Sequence, residues 1–487
     1  MSTSVPNEDF TGFPFQAREM HDLCTCGGSP ATKAAAQRSA ATYGKMLERT
    51  PEFQTWRDAA NGIKRYAVRH LDELLVEFER NLTAKGIEVL WANDAREANE
   101  IILDIARKHG VKKVVKSKSL VSEELQLNRA FAACGIESIE TDLGEFLLQL
   151  AGQRPTHTVV PALHLTADDC GRLFESKLGE PFTNVHQELT LTARKHLRDH
   201  FLTADMGVSG VNFGLADTGS FVVIENEGNA GLSTSTPPIH VAMMGIEKVI
   251  PSVDYLPQFL HVLPRSATDQ KLTTYTHIFN GPTDGRKMYV VIIDNGRTHA
   301  LQDPETEAAL FCIRCGACMN ACPVYHRVGG WAYGWIYPGP IGEILNPHLC
   351  GMEKAGKLPF ASSLCEKCAA VCPVKVNIPE QLVHLRDIST HTAGSPMNSR
   401  YQKLLWSTWS FWNAGPKRYA FAGWCVRIGA RIARFIPRRC LVFEARAWAK
   451  GREIPHPSGG SFRGWWKKNR KSNRNQLPCE NREEAQK

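Results

Sequence analysis

Residues 312–323 read Cys-Ile-Arg-Cys-Gly-Ala-Cys-Met-Asn-Ala-Cys-Pro. This is the C-x2-C-x2-C-x3-C-P spacing by which bacterial-type ferredoxins hold [4Fe–4S] clusters. A second run follows at Cys365, Cys368, Cys372 and Pro373. Soft thiolates at these offsets can wrap a cube of iron and sulfide, and they have little structural use without metal. Cys312, Cys315 and Cys318 are close enough in sequence to cap three irons of one cluster. By the crossing pattern of two-cluster ferredoxins, the fourth iron takes Cys372 from the other run, and Cys322 joins Cys365 and Cys368 on a second cluster. Zinc is the structural alternative, but zinc motifs usually pair two C-x2-C units and do not end in Cys-Pro. The chain is therefore expected to move single electrons.

The second run is one ligand short. Full spacing would place a cysteine at 362, where the chain has Ser362. Three outcomes stay open: Cys350 loops back as fourth ligand, a serine, water or partner group takes the corner, or a three-iron cluster forms. A free buried thiol is the more common fate of a lone cysteine such as Cys350. Between the runs, residues 329–342 are rich in glycine and aromatic residues. Such a stretch allows close backbone approach and an apolar shell that excludes water, both of which tune a cluster. A packed loop with turn glycines is the compatible structural reading.

Length and composition set the frame. A chain of 487 residues suggests roughly three domains. Seven of its 15 cysteines sit in the two runs, which suits thiolate ligands in a reducing compartment better than a disulfide scaffold. The N-terminal residues lack a basic and then apolar signal pattern, and no stretch of about 18 apolar residues exists, so a cytoplasmic address is expected. Charge is uneven. Residues 401–487 hold 19 Lys/Arg against 5 Asp/Glu, whereas the whole chain is only +8. Such a tail can dock an acidic partner or an anionic membrane surface, or simply stay solvated. Nucleic acid is disfavoured, because no recognition motif accompanies the charge.

Along the chain, residues 1–50 are expected to form a flexible arm carrying Cys24 and Cys26, a pair too short to count as a metal motif. Apolar spacing predicts a helix over 56–81. Strands at 86–91, 111–115 and 137–141 then alternate with helices at 94–109 and 119–134, the rhythm of a parallel sheet with helices on its faces. A further helix is expected around 193–203, and buried strands at 241–250 and 288–294. An α/β domain over 51–300, a two-cluster ferredoxin-like domain over 301–390 and a basic, aromatic C-terminal region over 391–487 follow. In the last, Trp406, Trp409, Phe411, Trp412, Phe421, Trp424 and Phe435 interleave with Arg427, Arg431 and Arg434, and Pro416 divides the helix.

The α/β region shows no dinucleotide fingerprint, Walker A loop, nucleophile elbow or H-E-x-x-H helix, and no catalytic residue is assigned. Lys116-Ser-Lys-Ser119 lies where a strand opens onto a helix and could hold an anion. Glu123 and Glu124 already satisfy that helix's dipole, so Ser119 is read as an N-cap. Asp217-Thr-Gly-Ser220 and Glu225-Asn-Glu-Gly-Asn229 bracket a strand, and each is read as a turn before it is read as a ligand.

Several of these segments together carry a resemblance. Val114–Ser119, Glu140–Glu145, Asp217–Ser220, Asn226–Asn229 and Gly245-Ile-Glu-Lys248 resemble the lactate-utilization (LUD) domain. With Cys312–Cys318, the Gly330…Pro338-Gly-Pro-Ile-Gly342 stretch and Leu364-Cys365, residues 55–470 resemble the lactate utilization protein B family. The resemblance implies an α/β domain similar to the isomerase and CoA-transferase-like fold. It also implies a cytoplasmic electron carrier, one of several subunits that together oxidise L-lactate to pyruvate. The implied ligands are Cys312, Cys315, Cys318 and Cys372 for one [4Fe–4S] cluster, and Cys322, Cys365 and Cys368 for the other. Two other readings are kept. In one, the α/β domain is an enzyme acting on a CoA ester or sugar phosphate. In the other, the chain is a binding module whose incomplete cluster senses oxidation.

Overall fold

Alternation of apolar strands with amphipathic helices builds a six-stranded sheet in which every pairing is parallel. Its strands are β1 (Glu88–Ala92), β2 (Lys113–Lys116), β3 (Glu137–Glu140), β4 (Met206–Gly210), β7 (Ile239–Gly245) and β10 (Lys287–Ile293), in the order β1-β10-β7-β4-β2-β3. A smaller sheet, ordered β8-β5-β6-β9, joins β5 (Phe213–Leu215), β6 (Ser220–Glu225), β8 (Val249–Ile250) and β9 (Tyr275–Phe279). The computed structural model describes residues 30–283, 285–433 and 462–474. It divides into two units, Met1–Ser399 and Arg400–Lys487.

The central strands are covered on both faces, as parallel sheets require. Every residue of β7 is buried. On one face Val241, Met243, Val291 and Ile293 meet Ile102 and Ile105 of the helix Ala95–Lys108. On the other, Ala242, Met244, Val290 and Ile292 meet Leu74, Phe78 and Leu82 of the helix Leu71–Ala84. Ser119 caps its helix as expected, accepting from the Ser122 N–H at 3.3 Å, and Asp94 caps Ala95–Lys108 by accepting from the Glu97 N–H at 2.8 Å.

Two expected helices are broken, each for a packing reason. The helix expected over 56–81 becomes Phe53–Arg69 and Leu71–Ala84, parted at His70. The first piece sends Phe53, Ala60 and Val68 into the core beneath the cysteine region, and the second faces the sheet. The helix expected over 119–134 breaks at Gln126, whose φ of 54° lets both Leu125 and Leu127 reach the sheet core. Within the arm expected over 1–50, Pro30–Arg49 is a helix that buries Thr32, Ala36 and Met46. Cys24 and Cys26 lie outside the described residues.

No break in packing separates the sheets from the cysteine region. One core unites Phe213, Leu256 and Phe259 with Leu310, Cys315, Ile341, Cys372 and Leu385. The residues between the cysteine runs lie against the α/β region. Gly330 approaches Thr156 so closely that a Cβ would stand 1.8 Å from its carbonyl oxygen. Beside it Trp331 Nε1 donates to Arg154 O, and the Tyr325 hydroxyl to Thr156 O, both at 2.8 Å.

The second unit consists, among its described residues, of the helices Arg400–Asn413, Pro416–Ala433 and Phe462–Arg474. Its rings pack on one another, with Trp412 and Phe421 5.7 Å apart and Arg463 stacked over Tyr419. Trp406, Trp409, Trp424, Trp465 and Trp466 are exposed. No helix among the described residues is long and apolar enough to cross a membrane. Phe435 and Arg434 lie outside the described residues.

Candidate iron–sulfur site

The two cysteine runs repeat at an offset of 50 residues, and the backbone repeats with them. Arg314 and Leu364 are both left-handed, with φ of 63° and 52°, and so are Gly316 and Glu366, at 77° and 62°. These curls, strained at the non-glycine positions, lead into matching one-turn helices, Ala317–Ala321 and Lys367–Val371, which pack on each other. Main-chain N–H groups point at sulfur. Arg314 donates to Cys312 Sγ at 3.3 Å, Tyr325 to Cys322 Sγ at 3.5 Å and Val376 to Cys372 Sγ at 3.3 Å. Such donors stabilise thiolate and tune a bound cluster.

The thiols fall into two sets, each drawing on both runs. Cys312, Cys315, Cys318 and Cys372 line one cavity, with Met319, Ile341, Val374, Val376 and Ile378 as its apolar wall. Cys322, Cys365 and Cys368 form the other set, close enough for their charges to bear on one another. Burial, then neighbouring thiols, pushes Cys315 and Cys318 well above the usual thiol range. Burial likewise brings Cys372 and Cys322 to about 11 and Cys368 to about 12. Thiols so desolvated ionise against a bound cation, and with the two-run spacing the donor set fits iron–sulfur clusters.

The first set is ringed by cations. Arg314 lies between Cys312 and Cys315 and pairs with buried Glu247 at 3.2 Å. Its guanidinium also stacks 4.7 Å from the Tyr337 ring centre. Glu247 in turn binds Arg297 at 2.6 Å, and Arg297 forks onto Glu124 at 2.8 and 3.0 Å. Burial alone would raise Glu247, but Arg297, Lys248 and Arg314 overcome it and hold the carboxyl at about 2. Lys64 donates to the Glu247 carbonyl, and burial lowers it to about 7. Arg57 donates to the Cys372 carbonyl at 2.9 Å and the Ala370 carbonyl at 2.9 Å, capping the helix Lys367–Val371 from the α/β side.

The second set has a different shell. Glu343, in the helix Gly339–Cys350, is fully buried, and neither carboxylate oxygen has a hydrogen-bond partner among the described residues. Burial pushes it up to about 8, and its charge bears on Cys322 and Cys368. Arg386 is the cation nearby; it donates to the Pro359 and Ser362 carbonyls. Cys365 is exposed, unlike every cysteine of the first set. Cys350 packs against the apolar cluster that contains Cys322, while the charges acting on its thiol are Glu124 and Lys354.

A cavity of about 340 Å³ adjoins the first set and shares Thr158, Ile313 and Arg314 with it. Ser117, Lys118, Asn212, Glu227 and Lys248 are among its lining residues. Burial, with Asp142 beside it, pushes Glu227 up to about 7, and burial lowers Lys248 to about 8. Glu225 instead accepts the Ala230 and Gly231 N–H groups at 2.7 Å each and binds His277, a structural role. Lys116 is fully buried among Glu123, Glu140 and Glu145, contacting the first two at 3.0 and 2.7 Å. Its charge is thus committed within the protein and does not face the cavity.

Spacing alone pointed to the cysteines. Arg57, Lys64, Arg297 and Glu343 carried no local signal, because each reaches the site from a distant segment. Arg314, inside the cysteine motif, and Glu247 and Lys248, inside the Gly245-Ile-Glu-Lys248 segment, are the shell residues that lie in motifs the sequence singles out.

Models of three known families match in succession: the LUD domain over residues 75–299, a 4Fe-4S dicluster domain over 308–376, and the C-terminal region of lactate utilisation protein B over 393–471. Fold and site therefore define an iron–sulfur protein in which an α/β LUD domain precedes a dicluster domain. Lactate utilization protein B of Bacillus pumilus is 37% identical, the match covering 88% of this chain and 92% of that protein. The proteins of the same name from Shouchella clausii and Lysinibacillus sphaericus are 38% and 39% identical, with 94% and 87% of this chain covered and 97% and 90% of theirs. The chain belongs to the lactate utilization protein B family. Among solved structures, a DUF162 family protein from Deinococcus radiodurans is 11% identical, with a TM-score of 0.26, over 46% of this chain and 98% of its own.

Proposed function

We propose that this chain relays single electrons through two [4Fe–4S] clusters in a multi-subunit, cytoplasmic system that oxidises L-lactate to pyruvate. The observation that carries the reading is the sorting of seven thiols into two sets that each draw on both cysteine runs. Cys312, Cys315, Cys318 and Cys372 would hold one cluster, and Cys322, Cys365 and Cys368 the other. When bound, each cluster supplies a one-electron carrier, and two together match the two electrons that lactate releases. The names of the relatives support lactate as the ultimate substrate.

The residues around the sulfurs give the relay a direction. Arg314, held by Glu247, keeps a positive charge beside the enclosed first set and favours an added electron there. The exposed Cys365 edge offers the second set to a partner subunit or carrier. The basic, aromatic C-terminal unit offers a surface for peripheral contact with an anionic membrane. Anaerobic purification with iron and sulfide counting, followed by reductive titration, tests the proposal. About eight irons and two electrons per chain are expected. A reconstituted chain without iron or broad visible absorption refutes it.

The cavity beside Arg314 favours a second reading, in which the LUD domain binds a small ligand next to the first cluster. Thermal-shift screening of the intact chain with CoA esters and sugar phosphates tests it. The absence of any shift counts against it.

A further inference from the structure

The second thiol set lacks a fourth cysteine, and the repeat of the backbone shows what stands in that corner. Ser362 occupies the position that Cys312 holds in the first run, 50 residues earlier. The match is more than one of sequence. The residue two places on is left-handed in both runs, Arg314 at 63° and Leu364 at 52°. In the first run that residue's N–H donates to the Cys312 sulfur at 3.3 Å, and in the second it donates to the Ser362 hydroxyl oxygen at 3.2 Å. Arg386 fixes the corner from behind by donating to the Ser362 carbonyl at 3.0 Å.

From this register we infer that the Ser362 hydroxyl oxygen is the fourth protein ligand of the second cluster, which is thus held by three thiolates and one alkoxide. The inference rests on the two-cluster reading above. The step balances without redox change: an iron–oxygen bond forms, the serine O–H bond breaks, and the proton passes to water at this half-buried edge. Iron's positive charge lowers the hydroxyl's proton affinity, as metals do for bound water.

Glu343 is the strongest competitor, since its carboxylate is buried and unpartnered beside Cys322 and Cys368. It projects from the helix Gly339–Cys350, outside the repeat that aligns Ser362 with Cys312. Cys350 ends that same helix, and the charges acting on its thiol are Glu124 and Lys354 rather than those of the second set.

The test uses the intact chain, purified anaerobically and loaded with iron and sulfide, in wild-type form and as Ser362→Ala, Ser362→Cys, Glu343→Gln and Cys350→Ser. Electron paramagnetic resonance and iron counting are the readouts. Ser362→Ala is expected to lose one iron of about eight and to show an oxidised three-iron signal. Ser362→Cys is expected to keep all four irons with an altered reduced spectrum and slower iron loss to a chelator. Glu343→Gln and Cys350→Ser should keep the wild-type iron count. An unchanged first-cluster signal in every variant reports an intact fold. A Ser362→Ala protein with wild-type iron content and spectra overturns the inference. So does a three-iron signal that appears in Glu343→Gln instead. A wild-type chain with only one cluster would defeat the two-cluster proposal itself, a result distinct from both.

Discussion

The two cysteine runs share a spacing and a backbone, yet the protein surrounds them differently. The first thiol set is enclosed by the α/β side and sits among Arg314, Lys64, Lys248 and Arg57. The second lies beside an unpartnered acid, Glu343, and reaches the surface at Cys365. A motif fixes which metal group is held, but charge and solvent around it set how readily an electron is accepted. In the proposed relay, two near-identical loops would then hold clusters of different potential.

The largest expected effect tests the crossing itself. Cys372→Ala should abolish the first cluster, although Cys372 belongs to the second run, and leave the signal of the cluster flanked by Cys365 and Cys368. Cys322→Ala should do the reverse. Each should retain about four irons, and loss of the same-run cluster would break the comparison. Next in size, Arg314→Gln removes a buried positive charge next to Cys312. At about 4 Å and an effective dielectric near 20 this is roughly 4 kcal/mol, on the order of 180 mV for one electron. The first cluster's midpoint should fall by about that amount and the second's should hold, as read by a spectroscopic redox titration.

A smaller, pH-dependent effect belongs to Glu343. Burial holds its carboxyl up at about 8, so it is neutral below that pH and anionic above it. A new negative charge opposes an added electron. The second cluster's potential should thus drop as pH rises through 8 in the wild type and stay flat in Glu343→Gln, with the two proteins agreeing at pH 6. Cys350→Ser should have the least effect, because Glu124 and Lys354 are the charges nearest that thiol. Both cluster signals should be unchanged by spectroscopy.

What the sequence could say followed the range of the forces involved. Most strands of the large sheet, the cap at Ser119 and the spacing of the cysteines are written in local pattern. The breaks at His70 and Gln126 are not, because they depend on which core each half-helix must reach. The ion chain Glu124–Arg297–Glu247–Arg314 was illegible for the same reason. It joins segments up to 190 residues apart, each a plain charged residue when read alone. Lys116 shows the converse case. By position the opening at Lys116–Ser119 could hold an anion, the N-cap reading of Ser119 is the better one, and in the fold three acids close around the lysine.

The shared core has a consequence for how such a protein comes into being. The helix Pro30–Arg49 rests on the one-turn helix Ala317–Ala321, and Arg57 caps the chain at Cys372. The helix Pro30–Arg49 therefore completes its packing only against residues far downstream. Removing the cysteine region should therefore leave one face of the helix Pro30–Arg49 uncovered.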